Sequence, residues 1–331
     1  MTIARIGYSL GMLKAPEEML SAGKEADRNE NVHSLWVPES WGREAFSSLG
    51  ALSQVTRRVR LGSSIISIYS RPPSTIAMSA ATIDILSNSR MIIGLGASTP
   101  ILADNWHGSK FEYPLQRMRE YVECIRLILT GDRVSYEGKT CRIKNFKLAI
   151  EPKRQNIPIF VAAVNSRMIF LSTSIADGVL LYLRPEHELR KMVATLRSRR
   201  RESDFEIACV FITAVSEKDP QKGRDKAAKT LAFYVSVGKY YSKFLAENGF
   251  RKEVENITYE YQNNGLHSAS KSVTDKMLDS LAICGNREQC IKSISKFIAT
   301  GISLPIVQIN AVDEDADRSI KDVFSAFNGH A

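Results

Sequence analysis

The sequence over residues 61–96 constrains the fold of this 331-residue chain most strongly. Two runs rich in apolar and β-branched residues, at 60–67 and 91–95, flank a helix-compatible run at 74–86. Neither strand-like run alternates strictly between apolar and polar residues, which is typical of parallel strands covered on both faces. The stretch therefore predicts a strand–helix–strand unit with a parallel crossover, in which Pro73 can occupy the start of the helix.

The same alternation continues along the rest of the chain. Strands are predicted at residues 3–10, 34–37, 60–67, 91–95, 157–163, 178–183, 205–215 and 304–309, with helices between them. Residues 132–148 predict a hairpin insertion and residues 219–281 a helical insertion. Eight strands alternating with helices favour an α/β fold, a closed parallel (β/α)8 TIM barrel with insertions, over an open sheet. We therefore expect a single domain over residues 1–331.

Charge and cysteine usage limit the partners and the compartment. The formal net charge of +9 favours anionic ligands. The densest basic cluster, residues 197–201, is more typical of a solvated helix end than of a nucleic-acid site, so no nucleic acid partner is expected. The five cysteines lack CxxC spacing, and the chain begins with strand-like residues rather than a secretory signal. These two features predict that the protein is located in the reducing cytoplasm. No apolar run approaches about 20 residues, so no membrane span is expected.

The chemistry of such a barrel lies at the C-terminal ends of its strands. Glu39 follows the second predicted strand, where a carboxylate could act as acid, base or hydrogen-bond acceptor, or instead cap a helix or pair with Arg43. Gly94 and Gly96 follow the dinucleotide-binding pattern in part, but its third glycine and its downstream acid are missing. These glycines more simply allow close approach of backbone and ligand.

Two further strand-end segments are candidates for binding. Asn165, Ser166 and Arg167 lie between a predicted strand and helix, so they could bind a phosphate through exposed amides and the guanidinium, or form only a helix cap. His107, in Asn-Trp-His-Gly, is far from any second histidine at metal-ligand spacing. A structural hydrogen-bonding role and a catalytic role both fit it, and no metal site is expected.

Several of these segments together resemble the bacterial-luciferase-like family, and within it the coenzyme F420-dependent reductases related to methylenetetrahydromethanopterin reductase. The resemblance covers most of the first 180 residues in order. The motifs are LWVPESWGREAF (35–46), RVRLGSSIISIYSRPP (58–73), RMIIGLGASTP (90–100), DNWHG (104–108), LQRMREYVECIRLIL (115–129), IPIFVAAVNSRM (157–168) and IADGVLL (175–181).

The resemblance implies a barrel that holds a flavin or deazaflavin at its mouth, without a metal, and that works as a homodimer or larger homo-oligomer. It also implies a non-prolyl cis peptide bond at Ser64–Ile65. The implied site residues are catalytic Glu39 and Ser40, cofactor-binding Ser63, Ser64, Ile65, Gly96, Ala97, Ala163, Val164, Asn165, Ser166 and Arg167, and substrate-binding Tyr8, Trp41, Tyr69, Thr99 and His107.

The sequence departs from the relatives at four places. Ser40 stands where they often have histidine, and Arg71-Pro72-Pro73 stands where they often read Arg-His-Pro. Asn165-Ser166-Arg167 stands where a Gly-Pro-Lys-like loop is usual. Thr99 stands where the sugar-phosphate dehydrogenases of the family carry a catalytic glutamate, so that reaction is disfavoured.

The expected function is therefore hydride transfer between coenzyme F420 and a small oxidised substrate, in particular a methylene-tetrahydropterin-type one-carbon carrier. The alternatives are an FMN-dependent luciferase-like monooxygenase and a cofactor-free binding homologue. The positive charge of the chain suits the anionic tail of F420.

Overall fold

The computed structural model describes residues 5–13, 15–199, 204–312 and 315–328. The strands within these ranges are β1 (Ile6–Ser9), β2 (Val32–Val37), β3 (Arg60–Ser63), β4 (Ile66–Ser67), β5 (Met91–Gly96), β6 (Val134–Glu137), β7 (Arg142–Phe146), β8 (Ile159–Ala162), β9 (Gly178–Tyr182), β10 (Glu206–Val215), β11 (Ala282–Gly285) and β12 (Leu304–Ile309).

Helices separate most of these strands. They are α1 (Pro16–Arg28), α2 (Ala45–Val55), α3 (Pro73–Leu86), α4 (Pro114–Leu129), α5 (Ser166–Ile175), α6 (Glu186–Arg199), α7 (Pro220–Val237), α8 (Lys239–Leu245), α9 (Arg251–Lys271), α10 (Asp275–Leu281), α11 (Arg287–Ile298) and α12 (Ala316–Phe327). Short π-helices occupy Ile101–Trp106 and Ala246–Phe250. In the described ranges no helix combines the length and the apolar composition needed to cross a bilayer.

The predicted strands are present with three differences. The first predicted strand, residues 3–10, is described only from residue 5 onward and is regular over Ile6–Ser9. The third is interrupted between β3 and β4. The strand β11 was not predicted, because four residues directly after a helix are too short to show a period. Part of the basic cluster at 197–201 lies outside the described residues.

The described chain divides into two compact units. The first unit is formed by the described parts of residues 1–33, 181–201 and 207–331, and the second unit by those of residues 34–180 and 202–206.

In the second unit, parallel strands pair in the order β2, β3, β5, β8 and β9, and β4 also pairs with β5. Val37 lies opposite Ser63, and Leu95 lies opposite Val161. Leu61, Ile93 and Ile159 are fully buried, as expected for strands covered on both faces. Because the strands are parallel, their C-terminal ends lie at one edge of the sheet, here called the strand-end edge.

Two helix starts at this edge follow directly from local sequence. The side chain of Glu44 accepts hydrogen bonds from the backbone N–H groups of Phe46 and Ser47, which caps α2. Pro73 is the first residue of α3. A backbone N–H at this position makes no hydrogen bond within the helix, so proline, which lacks one, fits there.

The hairpin predicted at residues 132–148 is confirmed. The antiparallel pair of β6 and β7 places Tyr136 opposite Ile143 and Glu137 opposite Arg142. The hairpin packs on α4 through the carboxylate of Glu120, described below.

In the first unit, β10 pairs with β11 and β12, and β12 pairs with β1, all parallel. The predicted helical insertion at residues 219–281 is confirmed as four helices, α7 to α10, with one π-helix. Its buried side chains, including Leu231, Phe250, Ile257 and Met277, form a core cluster with the end of β10.

Candidate active site at the strand-end edge of the second unit

Most of the predicted site residues follow the ends of parallel strands in the second unit. Glu39, Ser40 and Trp41 follow β2, and Ser63 to Tyr69 follow or form the end of the β3–β4 strand. Ala97, Thr99 and His107 follow β5, and Ala163 to Arg167 follow β8. The structure therefore brings these residues to one edge of one unit, whereas Tyr8 lies in the first unit.

The β3–β4 strand carries the interruption that the resemblance implies. The peptide bond between Ser64 and Ile65 is cis, so the predicted position is confirmed. Ser63 is fully buried, and its hydroxyl donates to the carbonyl oxygen of Gly94 at 3.0 Å and accepts from the Gly94 N–H at 2.8 Å. Ser64 and Ile65 are partly exposed, although the residues on either side of them are buried.

The two glycines of β5 are required by this interruption. A Cβ atom at Gly94 would overlap the backbone oxygen of Ser63, and a Cβ atom at Gly96 would overlap the side chain of Ile65. A close approach at these glycines is therefore present, and the group that approaches is the neighbouring strand of the same sheet. The predicted approach of a ligand stays a prediction.

Glu39 is held on both carboxylate oxygens by Arg71. Oε1 accepts from Nη1 of Arg71 at 2.5 Å and Oε2 from Nη2 at 2.9 Å, and Oε2 also accepts from the backbone N–H of Ala45 at 3.0 Å. Arg71 also donates to Glu44 at 2.6 Å. A bidentate contact of this kind fixes the orientation of the carboxylate as well as its position.

The pKa values of this cluster follow from its contacts. The hydrogen bond and charge of Glu39 raise the pKa of Arg71 against the opposing effect of burial. For Glu44, burial acts to raise the pKa, but hydrogen bonds from Ser47 and Phe46 and the charge of Arg71 lower it overall. The cluster therefore brings two carboxylates and one guanidinium into direct contact.

Tyr69 is buried beside a second cation. Its hydroxyl donates to the carbonyl oxygen of Glu112 at 2.8 Å, and its ring stacks on Phe111 with centroids 4.9 Å apart. The guanidinium carbon of Arg117 lies 4.6 Å from the Tyr69 ring centroid. Burial raises the pKa of Tyr69 to about 12 in spite of the Arg117 charge. Tyr69 therefore supports the strand end, and its hydroxyl already has a partner.

The exposed part of this edge is aromatic. Trp41 is 61% exposed and Trp106 is 52% exposed, and their rings meet edge to face with centroids 5.6 Å apart. Ser40 and His107 are exposed beside them in sequence, and Thr99 is partly exposed. Sequence reasoning missed Trp106, although it lies in the same Asn-Trp-His-Gly segment as the predicted His107. The π-helix Ile101–Trp106 places it there.

The loop after β8 forms a helix start. The side chain of Asn165 accepts from the backbone N–H of Met168 at 3.0 Å, so the predicted cap of α5 is confirmed. Ser166 and Arg167 are exposed in the first turn, Val164 is partly exposed and Ala163 is buried. A helix N-terminus with an arginine in its first turn is suited to a negatively charged group.

Tyr8 has the environment of a core residue. It is 1% exposed, and its ring stacks on Phe324 of α12 with centroids 4.2 Å apart. Burial raises its pKa. Successive strand residues point to opposite faces of a sheet, and Tyr8 points to the face that α12 covers. Its predicted contact with a substrate has no support in this placement.

The first unit has a polar network at its own strand ends that sequence reasoning did not find. The Tyr182 hydroxyl donates to Oε1 of Gln308 at 2.8 Å. Asn310, fully buried, donates to the carbonyl oxygens of Thr213 and Gln308 and accepts from the Thr230 hydroxyl. The pattern Gln-x-Asn at the end of the apolar run of β12 was the available signal.

The family model described as luciferase-like monooxygenase matches residues 13–304. The chain belongs to the luciferase-like monooxygenase family. The predicted resemblance, and the prediction that the chain is an enzyme of this family, are therefore confirmed. Within the described ranges of this family member, no group of three or more His, Cys, Asp and Glu side chains is arranged to hold a metal ion.

Individual relatives give the fold and a set of related activities. The 5,10-methylenetetrahydromethanopterin reductase of Archaeoglobus fulgidus is 28% identical over 296 residues, which cover 86% of this chain and 87% of the relative. The structure of the coenzyme F420 dependent tetrahydromethanopterin reductase from Methanopyrus kandleri matches with a TM-score of 0.83 at 20% identity, covering 98% of both chains.

A second solved structure, an F420-dependent secondary alcohol dehydrogenase in complex with an F420-acetone adduct, matches with a TM-score of 0.76 at 18% identity. The match covers 99% of this chain and 100% of the alcohol dehydrogenase chain. These likenesses show the fold of this luciferase-like protein and confirm the predicted α/β class, a (β/α)8 TIM barrel with insertions.

Proposed function

We propose that this luciferase-like protein is a reductase that moves a hydride between coenzyme F420 and a small oxidised substrate, a methylene-tetrahydropterin-type one-carbon carrier. The observation that carries the proposal is the pairing of two features at one edge of the second unit. One is the partly exposed Ser64–Ile65 segment inside an otherwise buried strand, and the other is the helix start at Ser166 and Arg167. The A. fulgidus relative, named for a reductase of this substrate type, supports it.

The residues present fit an F420 molecule in their chemistry. The small side chain of Ser64 and the aliphatic side chain of Ile65, both partly exposed, offer contacts for a ring system, and Gly96 lies beneath Ile65. Asn165, Ser166 and Arg167 give amide and guanidinium donors for an anionic tail. When bound, F420 supplies the carbon that accepts or donates the hydride, and the protein supplies binding and orientation.

The chain's own groups would then work by positioning. The carboxylate of Glu39, fixed by Arg71 and by the start of α2, gives a rigid acceptor for a substrate N–H or O–H group. The exposed rings of Trp41 and Trp106 offer apolar area that excludes water from a bound ring. Ser40, exposed next to Glu39, can donate to a substrate oxygen through its hydroxyl.

Thr99 bears on the choice of substrate. Its hydroxyl oxygen accepts from the backbone N–H of Leu102 at 3.4 Å, so it stabilises the start of the π-helix. A threonine at this position cannot replace the catalytic carboxylate that the resemblance implies for sugar-phosphate dehydrogenases. This is why we favour a pterin substrate over a sugar phosphate.

The proposal is tested by measuring hydride transfer with defined pairs of cofactor and substrate. We expect that reduced F420 is oxidised when methylenetetrahydromethanopterin is the hydride acceptor. The visible absorbance of F420 measures this oxidation. Oxidised F420 with glucose-6-phosphate should give no turnover above background. Turnover with reduced FMN and oxygen, and none with F420, would favour the monooxygenase. A folded protein that binds neither cofactor would favour a cofactor-free binding homologue.

We also propose that the protein acts in the cytoplasm as a homodimer or larger homo-oligomer. Apolar side chains are exposed on two neighbouring helices of the second unit, namely Met78, Ile85 and Leu86 on α3 and Leu127 on α4. A shared apolar face of this kind suits a second copy of the chain. Light scattering after size-exclusion chromatography should give at least twice the 37.0 kDa chain mass, and a monomer at all concentrations would contradict this proposal.

A further inference from the structure

Two cysteine thiols of the second unit lie side by side. The Sγ atoms of Cys124 and Cys141 are 3.4 Å apart, and the two residues are separated by 17 positions in the sequence. Both are free thiols, as are Cys209, Cys284 and Cys290, which are buried in the first unit. The pair joins two different elements, because Cys124 lies in α4 and Cys141 directly precedes β7 in the hairpin.

A network of hydrogen bonds keeps the hairpin on α4 next to these thiols. The carboxylate of Glu120, one helical turn before Cys124, accepts from the backbone N–H groups of Lys139, Thr140 and Cys141 at 2.8, 2.7 and 3.2 Å. It also accepts from the Thr140 hydroxyl at 2.5 Å. The approach of the two sulfur atoms is therefore fixed by the fold.

A second contact also holds the hairpin on α4. The hydroxyl of Tyr136, in β6, donates to the carboxylate of Glu123 at 2.7 Å. The hairpin is thus attached to α4 through β6 and through the turn between its strands, so the two thiols meet without any local opening.

The two thiols differ in access and in acidity. Cys124 is fully buried and Cys141 is partly exposed. The hydrogen bond from Cys124 lowers the pKa of the Cys141 thiol in spite of burial, and the same contact together with burial raises the pKa of the Cys124 thiol. Since the thiolate is the reactive form, Cys141 is the thiol that an oxidant in solution meets first.

We propose that Cys124 and Cys141 form a reversible dithiol–disulfide site that reacts with small disulfide oxidants of the glutathione disulfide class. The Cys141 thiolate attacks one sulfur of the oxidant, forming a mixed disulfide and releasing one glutathione thiolate. Cys124 then loses its proton to solvent, and its sulfur attacks Sγ of Cys141, releasing the second glutathione. The two cysteines are oxidised by two electrons, and the oxidant is reduced to two thiols.

The geometric change that this reaction needs is small. A disulfide bond brings the sulfur atoms to about 2.05 Å, so they must approach by a little over an ångström from their present separation. The bond would join the hairpin covalently to α4. This site is independent of the proposed function, because it needs neither F420 nor a substrate.

The test uses the full-length protein in glutathione buffers of increasing oxidised fraction, followed by acid quenching and peptide mass mapping without reduction. We expect a linked peptide pair containing Cys124 and Cys141, with a loss of two hydrogen atoms. The linkage should reverse when reduced glutathione is restored. The thiols of Cys209, Cys284 and Cys290 in the same sample are the internal control and should stay unmodified until the protein is denatured.

Two variants separate the steps of the reaction. Cys124→Ser should stop at one glutathione on Cys141, whereas Cys141→Ser should gain glutathione on Cys124 at least about tenfold more slowly, because that thiol is fully buried. If no peptide pair linking Cys124 and Cys141 forms in the unmodified protein at any glutathione ratio, the proposal is overturned. Equal oxidation of the three control cysteines under native conditions would overturn it as well.

Discussion

At the scale of single residues, the charges of the candidate site are set by contacts between positions far apart in sequence. Arg71, 32 residues after Glu39, binds both oxygens of that carboxylate and also contacts Glu44. These contacts turn an acid at a strand end into a fixed acceptor. The functional value of Glu39 therefore depends on its orientation.

Replacing Glu39 with glutamine should separate positioning from binding. Glu39→Gln removes the charge that holds Arg71 and should lower kcat by about a hundredfold, because small misplacements of orienting groups have effects of that size. The Kd for F420 should change by less than about threefold, since the helix start at Asn165 is untouched. Steady-state kinetics with a cofactor titration measures both quantities.

The matched control is Glu44→Gln, which also contacts Arg71 but has a side chain 41% exposed, compared with 13% for Glu39. We expect its kcat to fall by less than about threefold, as for other exposed ion pairs. If Glu39→Gln turns over as fast as the unmodified protein, Glu39 is only a structural acid.

A second residue-scale prediction concerns the glycines of β5. Gly94→Ala should destabilise the protein by about 3 kcal/mol, because its Cβ would overlap the backbone oxygen of Ser63, which cannot move aside as a side chain can. Chemical denaturation measures this loss.

Gly50→Ala in α2 is the matched control for the same chemical change. Its Cβ would meet only the Cδ1 atom of Ile83, at 3.5 Å, and alanine favours a helix interior over glycine by about 1 kcal/mol. This variant should be as stable as the unmodified protein or more stable. Equal effects of the two substitutions would show that β5 tolerates a side chain beside Ser63.

Part of this residue-level detail could be predicted. The cap at Asn165 follows from a local rule, and the cis bond at Ser64–Ile65 followed from family resemblance. The pairing of Glu39 with Arg71 could not be predicted, because it depends on the tertiary approach of two loops. The packing of Tyr8 against α12 also escaped prediction, since all four residues of β1 are buried and show no alternation that marks the faces of the strand.

At the scale of elements, the hairpin β6–β7 depends on one buried carboxylate. Glu120 is 1% exposed and accepts four hydrogen bonds from the hairpin and one from Gln116. Burial alone would raise its pKa, but the bonds from Thr140, Gln116 and Lys139 lower it to about 2 from the model-compound value of 4.5. The ionised form is thus the one that stabilises the fold.

The sign of the pH dependence follows from this lowered pKa. Glu120 stabilises the folded state fully above its unfolded-state pKa of about 4.5, and this contribution is lost as the pH falls toward about 2. Glu120→Gln should lower the free energy of unfolding by about 2–3 kcal/mol at neutral pH. Between pH 4.5 and about 2 the variant should lose less stability than the unmodified protein, because it has no carboxylate to protonate at this position. Urea unfolding at several pH values measures both effects.

Glu123→Gln is the control on the same helix. Its carboxylate accepts from the Tyr136 hydroxyl, so we expect a loss of about 1 kcal/mol or less. If the two variants lose the same stability at neutral pH, Glu120 does not hold the hairpin in the way described.

Helices and strands were predicted where the regular spacing of apolar residues extends over enough positions to be recognised. The helix α3 was predicted to within one residue at each end, because proline marks its start. The four-residue β11 and the π-helix Ile101–Trp106 were not predicted. The first shows no period at that length, and the second differs from other loops only in backbone hydrogen bonding.

At the scale of the whole molecule, the alternation of strands and helices was sufficient to predict the fold class, which the structural relatives confirm. The location of the candidate site at strand ends follows from the same alternation. The cofactor and the substrate do not, because they depend on a few side chains whose neighbours come from distant parts of the chain. The proposal of F420 therefore rests on the Ser64–Ile65 segment and the start of α5.

The most direct test of this account is a titration of the purified protein with F420 and with FMN, repeated for Arg167→Ala and for Arg58→Ala. Arg58 is exposed just before β3, at the opposite edge of the same sheet, and serves as the control for removing one positive charge. We predict that F420 binds more tightly than FMN. Arg167→Ala should weaken F420 binding by about 1.5–3 kcal/mol, while Arg58→Ala changes it by less than about 0.5 kcal/mol. FMN binding as tight as or tighter than F420, or no effect of Arg167→Ala, would contradict the account.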